Sequence, residues 1–239
     1  MTFKVEIPMS NLNPSEIAAE ICEMNSKKCV VAALHITALN SLYARELKNE
    51  HFVNVDFLYA DGWSVQFLNR LAGFKRAERI ATTDFLPLLI SKLRAKKGDL
   101  RICVIGGMEG IAEKIPVHWD HPSDTFLTMH GFHSDWDEQF RLVRIFQPDL
   151  VLLGLGMPLE LFFINRFYDK FPDSIILTCG GLVRILAEQE MRSPKAMQWL
   201  RLEWLYRILS FPKQNLSRYL KGIRSLWVLS LKTIFRLPL

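Results

Sequence analysis

The sequence predicts an α/β fold: a mostly parallel, Rossmann-like sheet with helices on both faces, plus a C-terminal basic, helical, membrane-associating appendage. Three observations predict it. Short, near-continuous apolar runs, of the kind found in strands covered on both faces, alternate with segments of helical periodicity. Several of these runs end in an Asp-Gly or Gly-Gly pair, as a strand does where it turns into a crossover. The charge is also uneven. Ten of the 30 Lys and Arg lie from Arg192 onward against a single acid, Glu203, so the body before Arg192 is net negative although the whole chain carries +5.

The elements follow in order. Asn13 to Lys27 reads as a helix, capped by Asn13, with Pro14 in its first turn and Ile17, Ala18, Ile21 and Met24 on one face. Lys28 to Ile36 reads as a buried strand, Asn40 as part of a short connection, and Ser41 to Glu50 as a helix. Val53 to Tyr59 is the next strand. It enters the turn Ala60-Asp61-Gly62 and a helix from Val65 to Ala72. Thr83-Asp84 is placed to cap a helix running through Leu93. Leu100 to Ile105 is a strand ending in Gly106-Gly107, with a helix expected from near Glu109. His118 to Ser134 has no regular period. Asp135 to Phe146 reads as a helix, and Asp149 to Leu155 as a strand ending in Gly154-Leu155-Gly156-Met157-Pro158. Leu159 to Phe171 is a helix, and Ser174 to Cys179 a strand closed by Gly180-Gly181. From Pro194 the chain reads as basic helices rich in Trp, Leu and Ile. This divides it into a core, 1–193, and an appendage, 194–239.

Composition narrows the function classes. With 49% hydrophobic residues, the 239-residue chain can bury a sizeable core. The four cysteines form no CxxC and have no His cluster beside them, which fits reduced thiols and a cytoplasmic setting. The stretch Met1 to Asn13 lacks the pattern of a secretory signal. No run reaches the roughly 18 uninterrupted apolar residues of a spanning helix, so a membrane would be met from the side. His118 and His121, and likewise His130 and His133, are three apart but lack a clear third ligand, so no metal site is expected. Neither GxGxxG after the first strand nor a Walker lysine motif is present, which disfavours dinucleotide and P-loop binding. The body is not basic, so nucleic acid is not expected as a partner. No cofactor is expected.

In such a sheet, ligands bind beyond the carboxyl ends of the strands. The glycine pairs there leave room for a phosphate or sugar, and the helix starts that follow supply N–H groups to anions, although each pair alone also suits an ordinary tight turn. Asp61, at a strand end before a glycine and a helix start, is placed to deprotonate a hydroxyl nucleophile. The same position also suits a capping or turn aspartate. In the tail, Trp199, Trp204, Tyr206, Phe211, Tyr219 and Trp227 lie among Lys and Arg, the composition of a helix on an anionic membrane surface. Trp199 to Leu209 fits a packed helix pair equally well, and a subunit interface would also cover such an apolar surface, so a homo-oligomer is an open expectation.

The run Leu202-Glu203-Trp204-Leu205-Tyr206-Arg207 resembles a signature of the bacterial WecG/TagA/CpsF glycosyltransferase family. Further matches occur in the family's order: Ala60-Asp61-Gly62, then Glu78-Arg79-Ile80-Ala81 with Asp84, Gly106-Gly107, His130-Gly131-Phe132, Gly154 to Pro158, Gly180-Gly181 and Arg192-Ser193-Pro194-Lys195. The resemblance covers roughly residues 12 to 221. It implies metal-independent, inverting transfer from a UDP-sugar to a polyprenyl-diphosphate-linked glycan, at the cytoplasmic face of the bacterial inner membrane. The pathway would be exopolysaccharide, teichoic acid or common-antigen biosynthesis. Asp61 then corresponds to the proposed general base, Arg207 to a diphosphate-binding arginine of the C-terminal appendage, and Arg218 lies near the next of these. The expected substrate-binding set is Thr37, Asn40, Arg79, Asp84, Gly106, Gly107, Gly154, Gly156, Pro158, Glu160, Gly180, Gly181, Arg184, Arg207 and Arg218. Four positions depart from the family. Glu160 stands where it has Gln, Leu161 where it has Glu, Arg184 where it commonly has Asp, and Ala38 where many members have Thr, with Thr37 one step earlier. Arg184 is expected to favour a donor with a carboxylate, such as a uronate. The alternative reading is a non-catalytic, membrane-associated sugar-nucleotide-binding protein of the same fold.

Overall fold

The computed structural model describes residues 10, 12–24, 28–71, 79–132, 135–189, 191–200 and 202–234. Its strands are β1 (Cys29–Leu34), β2 (Phe57–Ala60), β3 (Arg101–Gly106), β4 (Thr125–Met129), β5 (Leu150–Gly154) and β6 (Ile175–Thr178). They form one sheet in the order β2-β1-β6-β5-β3-β4, and every pairing is parallel. All residues of β1, β2 and β6 are buried, which accounts for their uninterrupted apolar runs: both faces of these strands meet side chains.

Helices α1 (Pro14–Glu23), α4 (Thr82–Lys97) and α7 (Leu182–Leu186) cover one face through Ile17, Ile21, Phe85, Leu89 and Val183. The other face is covered by α2 (Ile36–Tyr43), α3 (Trp63–Leu71), α5 (Trp136–Phe146), α6 (Leu159–Phe167) and α10 (Pro212–Ile234), through Leu39, Val65, Val143, Phe163 and Leu229. Two short helices, α8 (Lys195–Trp199) and α9 (Glu203–Ser210), lead into α10. The C-terminal helix is therefore partly a core element. Leu226 and Leu229 join the same cluster as β1 and β5, and Ser225 and Ser230 are buried with them at helical spacing. Gly222 permits this approach, because a Cβ there would lie 2.4 Å from Ile36 Cγ1 at the start of α2.

Local differences from the sequence reading have physical causes. Asn40 lies inside α2, not in a connection. That helix starts just after β1 and ends at Tyr43 with Ala44 as its C-cap, before Arg45 enters the left-handed region at φ 59°. The expected helix from Ser41 to Glu50 is thus replaced by the end of α2 and a 3-10 turn at Asn49–Phe52. The irregular stretch His118 to Ser134 contains β4, an edge strand with only Met129 buried, so it lacks an apolar run. After Gly107 a 3-10 helix at Ala112–His118, interrupted by Pro116, stands where an α-helix was expected. Helix α4 begins at Thr82 with Ala81 as its N-cap, so Thr83-Asp84 lies inside its first turn. Glu78 and His133 lie outside the described residues.

Candidate active site

A cavity of about 160 Å³ opens at the carboxyl ends of β1, β2 and β6. Its floor comes from the loops after those strands: His35, Asp61, Gly62, Cys179, Gly180 and Gly181. Arg79 and Thr82 line it beside α4, Trp63 comes from α3, and Glu203, Trp204, Arg207, Arg218, Tyr219 and Ile223 come from α9 and α10. Residues more than 100 positions apart thus line one cavity. A smaller recess of about 40 Å³ adjoins it, sharing Asp61, Thr83, Glu203 and Arg207 and adding Arg192 and Ser193.

Asp61 follows β2 and is partly exposed to the cavity. Burial pushes its carboxyl above the ordinary value, while hydrogen bonding from Thr82 and the charges of Arg207 and Arg79 pull it down. Thr82 donates its hydroxyl to Asp61 Oδ2 at 2.6 Å. Arg79 forms an ion pair with Glu203 of α9 at 2.6 Å, which ties the C-terminal helices across the cavity. Trp204 and Tyr219 meet with ring centroids 6.4 Å apart and form an apolar roof.

Glu160 is buried beneath this floor, and His35 is a half-buried part of it. Glu160 Oε1 accepts the Gly180 N–H at 2.8 Å, whereas Oε2 is buried with no group within hydrogen-bond distance among the described residues. Burial raises its carboxyl to about 7, against the lowering effect of the Gly180 and Gly156 N–H groups and Arg218. His35 is lowered to about 3, first by burial and then by Arg218 and Arg207. Its Nδ1 contacts the Thr37 hydroxyl, which Arg218 also approaches at 3.4 Å. Glu160 therefore supports the Gly180 turn from below.

Of the expected site residues, Asp61, Arg79, Gly180, Gly181, Arg207 and Arg218 line the cavity. Thr37 links His35 to Arg218 at its edge. Asn40 instead accepts the Ser225 hydroxyl at 2.8 Å and so anchors α10. Asp84 is exposed and pairs with Arg192 at 2.7 Å. Arg184 lies over the Phe211 ring, its guanidinium carbon 5.4 Å from the centroid. Gly106 and Gly154 allow tight backbone packing: a Cβ on Gly106 would meet Gly154 O at 2.7 Å, and one on Gly154 would meet Val183 Cγ2 at 2.4 Å. Gly107 and Gly156 adopt φ of 74° and 78°, and the Met157–Pro158 bond is cis. Sequence reasoning missed His35, Thr82 and Tyr219. His35 directly follows an apolar strand, and Thr82 opens a helix beside the Asp61 turn, so strand-end position is the signal that would have found both.

One carboxylate-imidazole group, Asp99, His121 and Asp124, is compact enough to suggest a metal, its ligand atoms all lying within 4.8 Å of one another. It lies near the amino ends of β3 and β4, away from the cavity. Both oxygens of Asp124 are already engaged, Oδ1 by the Leu100 N–H and Oδ2 by Trp119 and Arg94. His118, three residues before His121, approaches Glu188 instead, at 3.2 Å.

A single parallel sheet covered by helices on both faces, with a cavity at the carboxyl ends of its strands, defines a Rossmann-like α/β protein. The chain belongs to the WecG/TagA/CpsF family of glycosyl transferases, which it matches over residues 3–238. It is similar to two proteins named N-acetylglucosaminyldiphosphoundecaprenol N-acetyl-beta-D-mannosaminyltransferase. It is 30% identical over 162 residues to that of Bacillus spizizenii and 27% over 161 residues to that of Bacillus subtilis, in each case over 66% of this chain. The chain spans 62% of the length of these relatives.

Proposed function

We propose that the protein is an inverting glycosyltransferase that moves a sugar from a UDP-sugar to a polyprenyl-diphosphate-linked saccharide during cell-surface polysaccharide biosynthesis. The observation that carries this reading is the cavity that Asp61 shares with Arg79, Arg207 and Arg218. Asp61 accepts the proton of the acceptor hydroxyl as that oxygen attacks the anomeric carbon of the donor. The bond from that carbon to UDP breaks on the opposite side, which inverts the centre. Arg207 and Arg218 neutralise the diphosphate charge, a role that suits the guanidinium fork.

The names of the relatives give a starting acceptor, N-acetylglucosaminyl-diphosphoundecaprenol, and a starting sugar, N-acetylmannosamine, which is offered as its UDP derivative within a panel of UDP-sugars that includes a uronate. The expected result is UDP release coupled to a heavier lipid product, reduced at least about 1,000-fold by Asp61→Asn in a variant that still binds UDP. Full transfer by Asp61→Asn would exclude this base. UDP-sugar binding without turnover across the panel would favour the non-catalytic reading.

Access to such a lipid fits the surface beside the cavity mouth. Trp63 and Phe67 of α3 and Leu220, Ile223, Trp227 and Leu231 of α10 are exposed on two helices that pack together, with Lys221 and Arg224 exposed among them. No helix among the described residues is long and apolar enough to cross a membrane. The proposed attachment is peripheral, to an anionic bilayer. Because Leu226 and Leu229 are core residues, the test is to change the outer face instead of deleting the helix. Leu220→Asn with Trp227→Gln should weaken sedimentation with phosphatidylglycerol vesicles and leave thermal stability within about 1 kcal/mol. Unchanged sedimentation would exclude this face as the anchor.

A further inference from the structure

Thr82 holds one end of the candidate base in a defined orientation. It is buried at the start of α4, with its hydroxyl 2.6 Å and its backbone N–H 3.4 Å from the same oxygen, Asp61 Oδ2. An ionised carboxylate has no hydrogen to donate, so the Thr82 hydroxyl must be the donor. Tyr59 approaches that hydroxyl at 2.9 Å. Since the only hydrogen on Thr82 Oγ1 is committed to Asp61, the Tyr59 phenol donates in turn. Tyr59 is 1% exposed and packed on Phe85, and burial pushes its phenol well above the ordinary range, so it keeps that hydrogen. The chain therefore runs one way, from Tyr59 O–H to Thr82 O–H to Asp61 Oδ2. Asp61 Oδ1 receives no hydrogen bond from a described residue, and Asp61 lines the cavity.

We propose that Thr82 is a positioning residue for transfer: by fixing Oδ2, it assigns Oδ1 as the oxygen that takes the proton from the acceptor hydroxyl. The proposal rests on the reading of Asp61 as the base. Threonine suits this task because its branched Cβ restricts χ1, while Tyr59 keeps the hydroxyl from rotating away. The hydrogen bond also favours the ionised carboxylate against the desolvation that acts on it, so one contact sets both the aim and the availability of the base. The other ionisable groups around Asp61 are Tyr59 on β2, Arg79 before α4, Arg192 before α8, Glu203 and Arg207 on α9, and His35 and Arg218 across the cavity. A signal specific to Asp61 is therefore needed.

The carbon-13 resonance of the Asp61 carboxyl, assigned by its absence in Asp61→Asn, supplies that signal without any substrate. It is titrated in the wild type, Thr82→Val, Thr82→Ser and Tyr59→Phe. The expected result is a midpoint raised by about one pH unit in Thr82→Val, restored in Thr82→Ser, and raised less in Tyr59→Phe. In transfer assays, Thr82→Val should lower kcat about tenfold or more, leave KM within about twofold, and move the acidic limb of the pH profile upward with the carboxyl midpoint. A wild-type midpoint in Thr82→Val overturns the proposal, as does failure of Thr82→Ser to restore it. Active Asp61→Asn would instead remove the base reading itself. Inactive Asp61→Asn together with a wild-type midpoint in Thr82→Val would remove only the role of Thr82. If Thr82→Val does not fold, Tyr59→Phe and Thr82→Ser carry the same decision.

Discussion

The floor and roof of the cavity are held by different forces. The floor lies after β1, β2 and β6, and its β6 end is braced by the neighbouring ends of β3 and β5 through close backbone packing: Gly106 lies against Gly154, and Gly154 against the Gly180 carbonyl and the Val183 side chain. The roof, α9 and α10, is held by one apolar seam at Leu226 and Leu229, the Gly222 contact with Ile36, the Ser225–Asn40 hydrogen bond and the Arg79–Glu203 ion pair. The difference teaches that the floor cannot change without the sheet, whereas the roof can loosen while the sheet stays folded.

The largest expected effect tests the floor. In Gly154→Ala the new Cβ would sit 2.4 Å from Val183 Cγ2 and 2.8 Å from Gly180 O, and the latter is backbone that cannot swing aside. The expected loss is about 3 kcal/mol, read as lower thermal stability of the whole chain. A variant as stable as the wild type would show that the strand ends yield more easily than their packing implies.

Glu160 and His35 give the next effect, and they oppose each other. Glu160 holds its proton up to about 7 in the folded protein against an ordinary 4.5, so its contribution to stability falls as pH rises from about 4.5 to 7. His35 refuses a proton until about 3 against an ordinary 6.5, so its contribution falls as pH drops through that window. The two slopes largely cancel between about pH 4.5 and 6.5. In Glu160→Gln only the histidine slope remains, and between pH 5.0 and 6.5 stability should climb by roughly 2 kcal/mol more than in the wild type, at about 1.36 kcal/mol per pH unit. Chemical denaturation at pH 5.0 and 6.5 measures it, and parallel curves for the two proteins would show that Glu160 is not held neutral.

Much of the floor was legible in the sequence because it is local. A strand end, a glycine and a helix start follow one another in the chain, so Asp61, Gly180 and Gly181 could be placed from pattern. Arg207 and Arg218 came from the resemblance of a six-residue run and its neighbourhood. What stayed hidden depends on distant partners. Asn40 meets Ser225, Asp84 meets Arg192 and Arg184 meets Phe211, and no local period encodes those pairings. Strand β4 was hidden for another reason: an edge strand leaves its side chains half covered, so its Thr and Phe do not form an apolar run. The tail's aromatic and basic composition pointed to a surface helix, but only the buried 222, 225, 226, 229 and 230 positions show that α10 also packs in the core.

The roof should respond more locally. Gly222→Ala places a Cβ 2.4 Å from Ile36 Cγ1, but that atom belongs to a flexible side chain, so the expected cost is about 1–2 kcal/mol. Hydrogen exchange should quicken along residues 212–234 while β1, β5 and β6 remain protected. Equal loss of protection in the sheet would mean that roof and floor unfold as one unit.

The smallest effect concerns the link between the two. Arg79 and Glu203 are each about a quarter exposed, with side-chain exposures of 23% and 24%, so solvent screens their 2.6 Å ion pair. Glu203→Gln should cost under about 1 kcal/mol of stability. Its consequence for binding has the opposite sign. Glu203 faces the same cavity as Arg79 and Arg207, and removing its charge frees one guanidinium and leaves the site more positive. UDP affinity should therefore rise about twofold to fivefold at low salt, with the gain shrinking as salt is added. Calorimetric titration of UDP at two ionic strengths separates the outcomes. A gain that vanishes with salt would show that Glu203 holds the roof down by competing with the ligand phosphates for Arg79. Weaker binding would show that the pair instead aims Arg79 at them, and that the roof must be latched before the diphosphate can be held.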